Sequence, residues 1–97
     1  MNKNIQVFKN EILEGLPNKR IQYQFTNDLH KFRIEGEGEP TYWLYVNREL
    51  EEDCEPIIIL NLIRIYHIVD TLNKAVKSKW LYMGPDSMRE VDENFAK

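Results

Sequence analysis

Ninety-seven residues leave room for one domain, expected here over 1–97 with a frayed tail after Gly84. The composition, 42% hydrophobic and 30% charged with four Gly and four Pro, excludes a linker or low-complexity chain. The net charge of −3 disfavours a direct nucleic-acid ligand, because affinity for phosphate comes from clustered Lys and Arg.

No apolar run reaches the roughly 18 residues of a membrane span. The densest one, Pro56 to Ile63, is interrupted by Asn61 and ended by Arg64. Met1-Asn2-Lys3-Asn4 has no apolar stretch behind it, so no signal peptide is expected. Cys54 is the single cysteine and cannot form an internal disulfide, which predicts a reducing, cytoplasmic setting. Its neighbours Asp53 and Glu55 oppose thiolate formation, so it reads as a structural residue rather than a nucleophile.

The chain order begins with apolar residues at Ile5, Phe8, Ile12, Leu13 and Leu16, a helical spacing that Pro17 stops. A period of two follows. Ile21, Tyr23 and Phe25 alternate with Arg20, Gln22, Gln24 and Thr26, and Asn27-Asp28 is a turn. Phe32 and Ile34 alternate with Lys31, Arg33 and Glu35, and Gly36 to Pro40 is a second turn. A third strand over Thr41 to Leu50 puts Tyr42, Leu44 and Val46 on one face and Trp43, Tyr45 and Asn47 on the other. Short strands joined by short turns predict an antiparallel meander.

Glu49 to Glu55 is an acidic break, and Pro56 suits the first turn of a helix. Ile58, Leu62, Ile65, Val69, Leu72 and Val76, widened by Ile59, Ile63 and Tyr66, form one apolar stripe, which predicts a single long helix over Ile57 to Val76. Lys79 to Met83 reads either as the end of that helix or as a short strand, stopped by Gly84-Pro85. Ser87 and Glu90 match a capping box and predict a short terminal helix to about Phe95. The expected fold class is therefore α+β: an N-terminal helix, a three-stranded antiparallel meander, a long C-terminal helix packed on one sheet face and a short terminal helix (αβββαα).

The charge is uneven. Residues 1–34 carry +3, residues 35–55 carry −7 and residues 56–97 carry +1. A focused negative field favours a basic partner surface. The candidate partner-binding residues are Glu35, Glu37, Glu39, Glu49, Glu51, Glu52 and Asp53, with Trp43 and Tyr45 as aromatic anchors. Either the N-terminal helix or the tail covers Trp43 and Tyr45, or they stand exposed as anchors; Trp80 and Tyr82 pose the same question. Charge reversal at Glu49, Glu51 and Glu52 is expected to abolish binding and spare the fold.

No catalytic constellation stands out. Ser78 and Ser87 are the only serines, without a G-x-S-x-G, and no phosphate loop or paired CxxC is present. His67 and Asp70, three apart on the expected helix, read as a paired rim histidine, and His30 lacks partners by spacing. The acidic run lacks the EF-hand order and its glycine. No enzyme, no cofactor and no metal are expected.

The helix–meander–helix order is shared by double-stranded-RNA-binding domains, which carry lysines at the start of the last helix where this chain has Glu55-Pro56-Ile57-Ile58. In an acidic chain the same order resembles small phage-encoded anti-CRISPR inhibitors. Those act as partial DNA mimics, placing acidic loops in basic nucleic-acid channels. The resemblance, one of layout and charge, implies a small acidic inhibitor or regulator of a basic, nucleic-acid-binding protein, made by a phage or mobile element. The alternatives are a self-associating structural or accessory protein, using a sheet edge or the Trp43/Tyr45 face, and a small metal-binding domain using Glu35, Glu37, His67 or Asp70.

Overall fold

Five strands form one sheet in chain order in the structure, a computed structural model that describes residues 3–52, 55–65, 67–84 and 87–95. Helix α1 (Lys3–Gly15) precedes β1 (Arg20–Thr26), β2 (Leu29–Glu35) and β3 (Tyr42–Asn47). A short helix α2 (Glu49–Glu52), then α3 (Pro56–Ile65) and α4 (Ile68–Lys74), lead to β4 (Lys79–Met83) and β5 (Met88–Val91).

The meander β1-β2-β3 is antiparallel, as its alternation predicts. Asn27 and Asp28 adopt φ of 55° and 60°, the paired positive values of the tight two-residue hairpin turn whose twist matches that of the strands. Thr26 therefore faces Leu29, and the register runs through Tyr23 opposite Phe32 opposite Leu44.

The sheet does not stop at three strands. β4 lies parallel to β3, with Tyr42 opposite Lys79 and Val46 opposite Met83, and β5 returns antiparallel to β4. The result is a five-stranded mixed sheet, which corrects the three-stranded meander. The capping-box helix from Ser87 is also corrected. Gly84 N–H donates to the Ser87 carbonyl at 2.8 Å, closing a hairpin that brings Met88–Val91 onto β4. A ladder of sheet hydrogen bonds outweighs one helix cap.

The long C-terminal helix is likewise replaced by α3 and α4, separated at His67, whose φ of 54° is left-handed. Topology supplies the reason. The chain leaves β3 at Asn47 and must re-enter the sheet beside Tyr42, only about 20 Å back at a strand rise of 3.3 Å. A straight helix over residues 57–76 would span about 30 Å. Breaking it also resets the stripe. Ile63, Ile68 and Leu72 are buried, whereas Ile57 and Val76 are 57% and 91% exposed. The expected positions Ile58, Ile59 and Ile65 lie in α3, and Tyr66 lies outside the described residues.

The helices pack on one sheet face. Ile5, Phe8, Ile12 and Leu16 of the α1 segment join Ile63, Ile68 and Leu72 over Phe32, Ile34, Tyr42, Leu44, Val46, Leu81 and Met83. Asn4, also buried, donates from Nδ2 to the Leu50 carbonyl at 2.7 Å and fastens α1 to α2. Buried His30 shares this face, its Nδ1 2.7 Å from the Tyr23 hydroxyl and its ring against Phe25.

Candidate functional site

The alternation that buries one face of each strand presents the other side chains on the opposite face. Following the register from β1 to β5, that face carries Gln22 and Gln24, Lys31 and Arg33, Trp43 and Tyr45, Trp80 and Tyr82, then Arg89 and Val91. Among the described residues no helix lies over it.

At its centre the Trp43 and Tyr45 rings stack at 6.4 Å with 24° between their planes. Phe95, from the turn after β5, packs on Tyr45 at 5.9 Å and on Tyr82 at 5.1 Å. The Arg33 guanidinium lies 5.3 Å from the Trp43 ring centre, and that of Arg89 lies 5.4 Å from Tyr82 and 5.7 Å from Phe95. Cations held over ring faces are attracted by the ring quadrupole. Between Gln22, Gln24, Lys31, Arg33 and Trp43 the face dips into a depression of about 380 Å³. At the end of β3, Asn47 donates from Nδ2 to the Tyr82 hydroxyl at 2.8 Å while its Oδ1 accepts from the Glu49 N–H at 2.8 Å.

The tail thus covers one of the two expected anchors, Tyr45, and leaves Trp43. Tyr45 is only 5% exposed, beneath Phe95, whereas Trp43, Trp80 and Tyr82 are partly buried. The N-terminal helix covers neither Trp43 nor Tyr45, because it lies on the opposite face.

Burial raises the Tyr45 phenol above its ordinary value of 10.0. An unfolded chain therefore loses that proton at lower pH than the folded one. Stability attached to Tyr45 is complete below pH 10 and declines as pH climbs through the raised value. Tyr45→Phe is expected to flatten the alkaline fall in melting temperature, measured between about pH 9 and 11. Equal slopes in both proteins would contradict it.

The acidic residues do not form one cluster. Glu35 ends β2, and Glu37 and Glu39 lie in the following turn, beside the start of β3; Glu49, Glu51 and Glu52 lie in α2, beyond its end. The strand between them separates the two groups by about 20 Å. Glu35 Oε1 is 2.9 Å from Arg33 Nε, an ion-pair contact without hydrogen-bond alignment, and Glu39 pairs with Lys19. Glu37 and Glu49 are exposed. Asp53 lies outside the described residues, as does Cys54.

His67 occupies the break between helices, and Asp70 pairs with Lys74 at 3.1 Å. Among the described residues no three His, Cys, Asp or Glu side chains gather as a metal site requires. No helix of the described residues is long and apolar enough to cross a membrane.

Arg33, Arg89 and Phe95 belong to the face and are absent from the candidates named in the sequence, where Trp80 and Tyr82 are raised only as an open question of burial. For Trp80 and Tyr82 a signal existed: they alternate with Lys79, Leu81 and Met83, as a strand requires. No local pattern marks Phe95. No protein-family model, curated protein or solved structure matches the chain.

Proposed function

We propose that the chain is a small acidic, non-enzymatic binding protein. It docks a protein partner through the aromatic side chains of the open sheet face, while the acidic residues beyond the ends of β3 meet basic groups of the partner, and so inhibits or regulates it. The observation that carries this reading is the residue content of that face: two Trp, two Tyr and two Arg on neighbouring strands. Trp, Tyr and Arg are the side chains that dominate interface energetics. The partly buried Trp43 supplies the anchor, held in place by Arg33. Glu37 at one end of β3 and Glu49 at the other form a charged rim that steers a basic partner and fixes its orientation.

The test retains proteins from nuclease-treated lysate on immobilised wild type, identifies the basic protein shed at high salt, and measures its affinity for variants. Trp43→Ala is expected to weaken it about tenfold or more by removing the anchor. Glu37→Lys with Glu49→Lys is expected to slow association and flatten the salt dependence. A retained protein indifferent to Trp43→Ala would overturn the reading. So would failure to retain any protein while a single-stranded oligonucleotide quenches the tryptophan fluorescence of the face.

Self-association is the second reading, favoured by the outer edge of β1 and by Phe25, which is 45% exposed.

A further inference from the structure

We propose that two copies of the chain pair antiparallel through β1, about a two-fold axis at Tyr23, and join their sheets into one of ten strands. This develops the self-association reading and stands whether or not the sheet face takes a basic partner.

The two edges of the sheet differ. β5 is four residues long and carries Arg89 and Glu90, the short, charged form in which natural proteins protect an edge. β1 is seven residues long, RIQYQFT, with one charge at its very start and no proline. Among the described residues no strand pairs with its outer side.

Hairpin geometry says which backbone groups face outward. Across the two-residue turn, Thr26 and Leu29 form the first hydrogen-bonded pair. Pairs then alternate, so Gln24, Gln22 and Arg20 bond to β2 while the N–H and C=O of Phe25 and Ile21 point away from it.

The strand is also a chemical palindrome. Around Tyr23 it reads Ile21-Gln22-Tyr23-Gln24-Phe25: apolar, amide, aromatic, amide, apolar. A two-fold axis at Tyr23 sets Ile21 opposite Phe25 of the second copy and Phe25 opposite its Ile21. Both are outward-facing residues, so their N–H and C=O groups meet in hydrogen-bonding register. Exposed Phe25 gains an apolar cross-strand neighbour, and Gln22 faces Gln24, amide to amide. Arg20 meets Thr26, so no like charges oppose one another. The isologous symmetry closes the assembly at two copies. The axis stands perpendicular to the sheet, so both aromatic faces lie on the same side.

The experiment is light scattering of the full chain across a concentration series, with two variants. Wild type is expected to approach twice its 11.7 kDa mass. Phe25→Pro removes an outward N–H without touching the ladder to β2, at an edge position where proline is tolerated. Phe25→Lys keeps that N–H and adds a guarding charge. Both are expected to raise the dimer dissociation constant at least about tenfold with unchanged circular dichroism. Amide exchange at Ile21 should be slowed in wild type and accelerated in both variants. A wild type that stays monomeric to about 1 mM would overturn the proposal. A dimer that persists in both folded variants would overturn it too, placing the interface elsewhere. Should Phe25→Pro fail to fold, Phe25→Lys decides the matter alone.

Discussion

Phe32→Ala is expected to lower the unfolding free energy by about 3–5 kcal/mol, the range for deleting a large aromatic from a packed core. Phe32 is fully buried at the middle of β2. Its ring lies 6.1 Å from Phe8 of α1 and 5.4 Å from Tyr23 of β1, and Leu44 of β3 sits opposite it. One substitution therefore loosens the helix layer and both neighbouring strands. A domain of this size has only about 5–15 kcal/mol of stability in all. The urea midpoint of the variant should fall steeply with little change in the slope, and a loss below about 1 kcal/mol would show that the core collapses readily around the gap.

Gly15→Ala is expected to reverse the usual sign. In an ordinary helix interior alanine is favoured over glycine by about 1 kcal/mol. Gly15 is the last residue of α1, where α1 passes α4. A Cβ placed there would overlap Val69 Cγ1, with Val69 Cγ2 and Cβ also crowded at 3.1 and 3.2 Å. A β-branched valine in a helix has one strongly preferred rotamer and little room to turn away. The same close approach lets Asn73 Nδ2 donate to the Gly15 carbonyl at 3.3 Å. The expected cost is about 2–3 kcal/mol of overpacking. Adding Val69→Ala to Gly15→Ala should recover more than half of it, a non-additive result in a double-mutant cycle on thermal unfolding. A stabilised Gly15→Ala protein would show that the two helices do not approach as described.

Where one periodicity ruled, the sequence was legible. Ile5, Phe8 and Ile12 place α1 on the core, and the alternation in β1, β2 and β3 identifies the strands, the turns and which of Tyr42 and Trp43 turns inward. The failures share a cause: long-range pairing overrode a local pattern. Ile57 to Val76 has a helical stripe throughout, but the return to β4 requires a break at His67. Ser87 and Glu90 satisfy a capping rule, yet β4 offers Met88–Val91 a ladder. The site follows the same division. That Trp43 and Tyr45 share a face is written in β3 itself, whereas Trp80, Tyr82 and Phe95 join them only through the parallel crossover. The acids, gathered within residues 35–55 of the sequence, are parted by the very strand they flank.

That crossover leaves the sheet with a seam. β1, β2 and β3 are joined by short turns, as are β4 and β5, but the β3–β4 contact pairs residue 42 with residue 79. Closing so long a stretch of chain carries the larger entropic penalty, so the two hairpin units are expected to form before they join. The aromatic face is divided along the same line: Trp43 and Tyr45 come from the first unit, Trp80, Tyr82 and Phe95 from the second. An aromatic face of this construction is complete only once both units have joined. Any ligand that spanned both halves would clamp the seam, and the expected consequence is slower unfolding at the step where the two units part.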